Sequence, residues 1–439
     1  MHLRPSLLMA EVTTVCNLNC IMCPARYSGL DQAHMSDEVW DKIVGLTPYF
    51  RFIAVAGIGE PLTDPNFLSR IKSLDDLGVR TAFSTNGLLL QKFIPDIVAL
   101  KHLAQLNVSI ETPNADIYRY MRPGGDLLTV FSGISALMKA TNYPESVTAS
   151  AVVMKSNLQS LLSLPAMLDV LGIKLLILRG LYNPGNLDAE IVDPVELDNT
   201  LKRIETSCRE YGIALDAGAL AGVQQKKEEQ GVSSFIQRFK ELLNPGPPIT
   251  KQCIFPWEVP VVSKEGNVYA CCSRVPELIV GNILEQSFEE IWSGSKIESL
   301  RQELLTGYLS GTCNSCNMFP SGPHPYTLYS AEVVDSQINK TRAKIVIKNT
   351  GRKTWKKGVV TGIYLSGSES WVRSEHICSF KEEKVSPNKT ATFEFNPSEF
   401  PKLDRIRLVA EDFCWIPGAD LNLKGGGTAP GPQRFTEIH

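Results

Sequence analysis

Residues 8–23 read LMAEVTTVCNLNCIMC: a short apolar run, then three cysteines in close succession. Leu8–Thr14 has the β-branched, apolar texture of a buried strand. Cys16, Cys20 and Cys23 follow it as C-x3-C-x2-C. Three thiolates so close together can hold three irons of a [4Fe–4S] cluster and leave the fourth without a protein ligand. An all-cysteine electron-transfer site needs a fourth thiolate nearby. The alternative is a chance grouping of small buried residues.

The same texture repeats downstream. Phe52–Ala56, Arg80–Ser84, Leu106–Glu111, Thr148–Met154 and Lys174–Arg179 are further candidate strands. Between them lie apolar residues three and four apart, such as Val39, Ile43 and Leu46, or Phe67, Ile71 and Leu74, the period of a helix with one buried face. Asp64 before Pro65 predicts a helix start, a side-chain cap followed by a residue with preset φ. Six strands separated by helices must pair in parallel through crossovers. The expected fold is therefore α/β, a partial (β/α)6 barrel over residues 1–245, with chemistry at the carboxyl ends of its strands.

Asn244–Pro248 (NPGPP) and Pro320–Pro325 (PSGPHP) read as domain joints. Residues 246–325 form a small α+β domain on this reading, with a strand at Trp257–Val262, a hairpin around Lys264–Asn267 and a helical stretch from Phe288 to Thr306. Residues 326–425 carry short alternating strands, Ala343–Lys348, Val359–Leu365, Thr390–Phe395 and Asp404–Ala410, and predict an all-β sandwich. The joint after Cys316 suggests that a chain ending near Gly322 keeps its cysteine sites. Residues 426–439 continue a Gly- and Pro-rich stretch that starts at Lys424, and are expected to be a flexible tail.

Composition narrows the function. Of 439 residues, 44 are Lys or Arg and 47 Asp or Glu, for a net charge of −3, so neither nucleic acid nor an anionic membrane surface is an expected partner. The longest apolar stretch, Leu161 to Leu178, is broken by Pro165, Asp169, Gly172 and Lys174 and cannot span a bilayer. The first fifteen residues lack a signal-peptide core, and a cytoplasmic location is expected. In such a compartment eleven cysteines point to metal or catalysis rather than disulfides.

Five of those cysteines form a second set: Cys253, the adjacent Cys271 and Cys272, and Cys313-x2-Cys316. Four such thiolates suit either an iron–sulfur cluster or structural zinc.

Taken in order, these segments resemble the radical S-adenosylmethionine (radical SAM) superfamily. Gly57-Ile58-Gly59-Glu60-Pro61 stands where that family has a Gly-Gly-Glu-Pro-like turn against the methionine amino group, with Ile58 where a glycine is frequent. The resemblance brings Ser84 and Asn86, then Ser109 and Glu111 near the ribose, to the cofactor. It places Arg122–Gly125, Lys155, Asn157 and Arg179 at cofactor or substrate, Arg179 as a carboxylate clamp or partner in proton transfer. A structural ion pair is the other reading of Arg179.

The second cysteine set, with Gly281-Asn282-Ile283 and Phe288–Trp292, resembles the SPASM/twitch extension of these enzymes. After Cys316 no cysteine occurs until Cys378, which favours the shorter twitch form, one cluster held by Cys253, Cys271, Cys313 and Cys316. Cys272 is then a surplus thiol or a hydrogen-atom donor. Adjacent strand residues point to opposite faces, so a ligand at Cys271 is expected to turn Cys272 away unless the strand has ended.

Asn349-Thr350-Gly351 and Trp355 resemble immunoglobulin-like modules, with Trp355, Trp371 and Trp415 as sandwich core.

The resemblance implies two [4Fe–4S] clusters and S-adenosylmethionine (SAM) as cofactors, with a flavodoxin- or ferredoxin-type electron donor. It implies reductive cleavage of SAM and hydrogen abstraction by a 5′-deoxyadenosyl radical. Oxidation of a sugar, aminocyclitol or similar small molecule, with the auxiliary cluster as electron acceptor, is the expected outcome. Epimerisation, with Cys272 or Cys208 returning hydrogen, and peptide maturation are the alternatives within the superfamily. An iron–sulfur electron-transfer protein is the alternative outside it.

Overall fold

The computed structural model describes residues 5–422 except 6, 30, 51, 143, 182–185, 218–219, 221–248, 273–274, 310, 317–318, 320, 358–359, 366–375, 401–404, 411–413 and 420. The Asn244–Pro248 joint, Trp371 and the tail lie outside those residues.

The candidate strands form as β1 (Leu8–Ala10), β2 (Phe52–Val55), β3 (Arg80–Thr85), β4 (Leu103–Ser109), β5 (Val147–Val153) and β6 (Leu175–Gly180). Each pairs in parallel with the next. A further strand, β7 (Ala214–Asp216), adds to β6 in parallel; with only three residues it has no periodicity to read. Two other expectations differ. β1 stops at Ala10, and the carboxylate of the next residue, Glu11, accepts a hydrogen bond from Ile58 N at 3.1 Å. The helix after β2 starts at Phe67, not at Asp64–Pro65; Asp64 instead holds Arg70 at 2.6 Å, and both are buried.

The sheet has two faces with different chemistry. On one, Leu106, Val108 and Ile110 are fully buried and join a core with Val39 and Ile43, Phe67, Ile71 and Leu74, and Val130 and Ile134 of the surrounding helices. On the other, Gln105, Asn107 and Ser109 alternate with them and are only partly buried. There Gln105 Nε2 donates to Thr148 Oγ1 at 3.1 Å and Asn107 Nδ2 to Ser150 Oγ at 2.9 Å. The inner face of the barrel is thus polar and accessible, where an ordinary closed barrel is filled with branched apolar side chains.

β8 (Ile249–Lys251) lies apart from this sheet, but the sheet does not end at β1. β9 (Val261–Val262) runs parallel to β1, with Met9 opposite Val261, and continues antiparallel into β10 (Asn267–Tyr269) and β11 (Ile279–Asn282). Of the strand expected at Trp257–Val262 only Val261–Val262 forms; Trp257 and Glu258 close a helical turn, Phe255–Glu258, whose Pro256 in the first turn needs no amide partner. The Phe288–Thr306 stretch is two helices, Phe288–Trp292 and Ser295–Thr306, parted at Ser293–Gly294. β12 (Ser321–Pro323) pairs back onto β8.

Beyond it the chain is all-β. Strands 331–338, 343–349 and 390–395 form one antiparallel sheet. Strands 376–378, 360–365, 405–410 and 414–415 form another. Trp355 is fully buried with Ile345, Ile347, Phe393, Ile406 and Leu408, as core. Strand 331–338 escapes the sequence pattern because most of it is exposed and polar.

Candidate active site and auxiliary thiol site

The loop after β1 carries the three cysteines to the carboxyl end of the sheet, and neighbouring strands pin it there. Ile21 N donates to Met121 O at 3.0 Å, and Asn86 Nδ2 at the end of β3 donates to Asn17 Oδ1 at 2.7 Å. Glu60 N and Thr63 Oγ1 both donate to Val15 O, at 2.9 and 3.1 Å. Cys16, Cys20 and Cys23 are free and half-buried. Burial raises the Cys16 thiol and pushes Cys20 up to about 11, against the pull of the Arg122 guanidinium. Such thiols ionise when a metal cluster supplies the missing positive charge.

Beneath the loop lies a buried polar group. Burial works against the charge on Arg122, yet Glu111 and Cys20 hold its pKa above the ordinary value. Arg122 Nη2 donates to Glu111 Oε1 at 2.5 Å. Arg122 Nε and Tyr118 Oη, both buried, have no hydrogen-bond partner among the described residues, and both groups interact electrostatically with Cys20. Two orphaned donors beside a thiol are suited to the sulfur atoms of a cluster. The site fits one.

Gly57–Pro61 follows β2. A Cβ on Gly59 would stand 2.4 Å from Thr13 O and 2.7 Å from Val15 O, so the cysteine loop can cross here only over a glycine. A Cβ on Gly57 would meet the Glu11 side chain at 2.5 Å. The Glu60 carboxylate is buried and accepts from Leu62 N, Thr85 Oγ1 and Asn86 N at 3.2, 2.7 and 2.6 Å. Burial raises its pKa, and these hydrogen bonds work in the opposite direction.

The remaining expected residues divide into braces and facing groups. Glu111, with a left-handed φ of 64°, is buried; Oε1 holds Arg122 and Oε2 accepts from Val152 N at 2.5 Å. Asn157 is fully buried and ties Glu111 O, Val152 O and Met154 N together. Ser84 and Ser109 lie partly buried at the ends of β3 and β4. Lys155 is exposed, its backbone N–H bound to Glu190 O at 2.9 Å. Arg179 pairs with Asp216 of β7 at 3.2 Å, both nearly half exposed at the rim. Sequence reasoning missed Glu11, Asn17, Thr85 and Tyr118; the one available signal was Glu11, an acid inside an apolar run.

The second set converges as well. Cys253, Cys271, Cys272, Cys313 and Cys316 line a cavity of about 270 Å³ with Ala270, Leu278, Leu300 and Leu304. Among the described residues no three possible ligands stand close enough to share a single ion. Burial raises Cys253 well above the usual thiol range, and Cys271, Cys316 and Cys313 act on it in the same direction. Cys313 is pushed up to about 11, by burial first and then by Cys271 and Cys316. β10 ends at Tyr269, so strand alternation no longer governs positions 271 and 272, and both reach the cavity.

The Radical SAM superfamily matches residues 10–163, and the SPASM iron–sulfur cluster-binding domain matches residues 253–317. The chain carries a radical SAM domain followed by a SPASM domain. Its cofactors are accordingly SAM and two [4Fe–4S] clusters, which takes the second cysteine set away from zinc. An AdoMet-dependent heme synthase of Methanosarcina barkeri is 29% identical, over 71% of this chain and 88% of that protein. Mycofactocin maturase MftC of Mycobacterium ulcerans is 22% identical, over 72% of this chain and 81% of that protein. Streptococcus suis SuiB bound to S-adenosylmethionine shares the fold, with a TM-score of 0.54 at 12% identity over 68% of each chain. Among the described residues, no helix of this radical SAM protein is long and apolar enough to cross a membrane.

Proposed function

We propose that this radical SAM enzyme is an oxidoreductase that removes hydrogen from a polar, uncharged substrate and passes the remaining electron to the auxiliary site. The observation that carries the reading is the convergence of Cys253, Cys271, Cys313 and Cys316 on one cavity, a second redox centre in addition to the Cys16, Cys20 and Cys23 site. SAM at the first site supplies hydrogen-atom abstraction by a 5′-deoxyadenosyl radical, and the auxiliary cluster supplies one-electron acceptance. Cys16, Cys20 and Cys23 hold the first cluster. The backbone of Gly57, Gly59 and Pro61, with Ser84 and Ser109, faces SAM. Glu60, Asn86, Glu111 and Asn157 act behind them, holding loop and strand ends in register. Lys155 and Arg179 sit at the rim, Arg179 kept in place by Asp216.

The inner face supports the substrate class. Gln105, Asn107, Ser109 and Ser150 offer amides and hydroxyls without charge, which suits the hydroxyls of a sugar-like molecule. Peptide maturation is the second reading, favoured by the maturase among the relatives and by the same amide-bearing lining. The electron donor on either reading is a flavodoxin- or ferredoxin-type protein. The antiparallel sheets packed around buried Trp355 support reading the C-terminal β-domain as an immunoglobulin-like module.

The test is anaerobic reconstitution followed by reduction in the presence of SAM. 5′-Deoxyadenosine should form and should vanish in the Cys16/Cys20/Cys23→Ala variant; persistence in that variant would falsify the assigned site. Deuterated sugars and peptides then separate the two readings, because only the true substrate transfers deuterium to deoxyadenosine. A protein that only carries electrons makes none.

A further inference from the structure

The residues just after Cys253 are gripped from the far end of the chain. Arg407, on strand 405–410, is buried and donates from Nη2 to Glu258 Oε1 at 2.8 Å and from Nη1 to Oε2 at 3.3 Å. Glu258 is fully buried, and Tyr326 Oη donates to the same Oε1 at 2.9 Å. Tyr326 N donates to His324 Nδ1 at 3.2 Å, which leaves Nε2 carrying the proton that reaches Cys253 O at 2.9 Å. Trp257 packs against both rings, with centroids 4.8 Å from His324 and 5.2 Å from Tyr326, and those two are themselves 5.3 Å apart. From the other side Arg301 Nε donates to Pro256 O at 2.9 Å.

We infer that the C-terminal β-domain positions the auxiliary cluster: Arg407, through Glu258, Tyr326 and His324, fixes the backbone at the cluster ligand Cys253. The inference rests on the reading of Cys253, Cys271, Cys313 and Cys316 as ligands. A two-pronged arginine–carboxylate pair away from water has one geometry, and it transmits that geometry to whatever the carboxylate is attached to. Here that is a helical turn starting two residues after Cys253. Nothing in the SPASM domain itself provides the cation: among the described residues the positive charge paired with Glu258 comes from Arg407. Arg407 makes no contribution to the chemistry; it is a positioning residue.

The experiment uses the full chain with Cys16, Cys20 and Cys23 changed to alanine, so that only the auxiliary cluster reports. Arg407→Met should lose iron to a chelator about 10–100-fold more readily than the parent, the range seen when partners behind metal ligands are removed. It should also alter the electron paramagnetic resonance spectrum of the reduced cluster. Arg407→Lys, which keeps the charge but not the fork, should fall between. His324→Phe keeps a ring against Trp257 and removes the bonds to Cys253 O and from Tyr326 N, and should shift the spectrum in the same direction; it decides the matter if Arg407→Met does not fold. Parental iron retention and an unchanged spectrum in a folded Arg407→Met, or in His324→Phe, overturn the inference. A parent without iron instead overturns the underlying assignment of the four cysteines, and this inference with it.

Discussion

Gly59 shows how a single hydrogen atom in place of a side chain holds an active site together. The backbone oxygens of Thr13 and Val15 occupy the space a Cβ would need, and backbone yields less easily than a side-chain tip. Gly59→Ala should cost about 1–3 kcal/mol, as overpacking does, and should weaken SAM binding measured by equilibrium dialysis. Gly45, with nothing within 4 Å of its Cβ position, is the control. Alanine there should stabilise the helix by about 0.5–1 kcal/mol. An unchanged melting temperature for Gly59→Ala would mean that loop and turn do not touch. The turn motif was legible as five letters, but the work of its acid was not. Besides capping the Leu62 amide next to it, Glu60 is spent on Thr85 and the Asn86 amide, partners that no local pattern identifies. The same holds for Arg122 and Glu111, eleven positions apart and joined only by folding.

At the scale of elements, β10 carries the next expectation. Had the strand continued, Cys271 and Cys272 would face opposite sides; it ends at Tyr269, and both cysteines line the cavity. Cys271, however, is the one that acts electrostatically on both Cys253 and Cys313. Cys271→Ala should therefore bring a reconstituted protein from about eight irons to about four and block product formation while sparing SAM cleavage. Cys272→Ala should keep its iron and turn over nearly normally if the reaction is an oxidation. Loss of product with deoxyadenosine still formed, together with solvent deuterium at an inverted carbon in the parent reaction, would instead make Cys272 the hydrogen donor of an epimerase. Most strands were readable, because apolar alternation is written in the chain. Among those missed are short strands such as three-residue β7, β8 and β12, too brief for a period, and strand 331–338, whose outward polar residues give no apolar period.

For the whole molecule, the Pro- and Gly-rich joint before the β-domain suggested a removable accessory. A chain ending at Gly322 would strip Glu258 of Arg407 and Tyr326, and Cys253 O of His324. Breaking a buried pair by removing one partner costs about 3–5 kcal/mol. The truncated protein should therefore melt at lower temperature and hold less iron at its auxiliary site. Equal stability and full iron on truncation would show that the β-domain contributes nothing there.

What the sequence determined alone was whatever depends on neighbours in the chain: the C-x3-C-x2-C loop after a strand, the strand–helix alternation behind a parallel sheet, and the spacing of Cys313 and Cys316. These are readable because ligand spacing and hydrophobic period are local quantities. Tertiary structure decided which side chains remain available and which domains touch. Arg179 is tied to Asp216, Glu111 to Arg122, and Glu258 meets an arginine 149 positions away. β9 joins β1 across more than two hundred residues, so that the SPASM hairpin extends the barrel sheet. Pairing of buried charges and of strand edges is settled by proximity in space, and the linear order of residues carries no record of it.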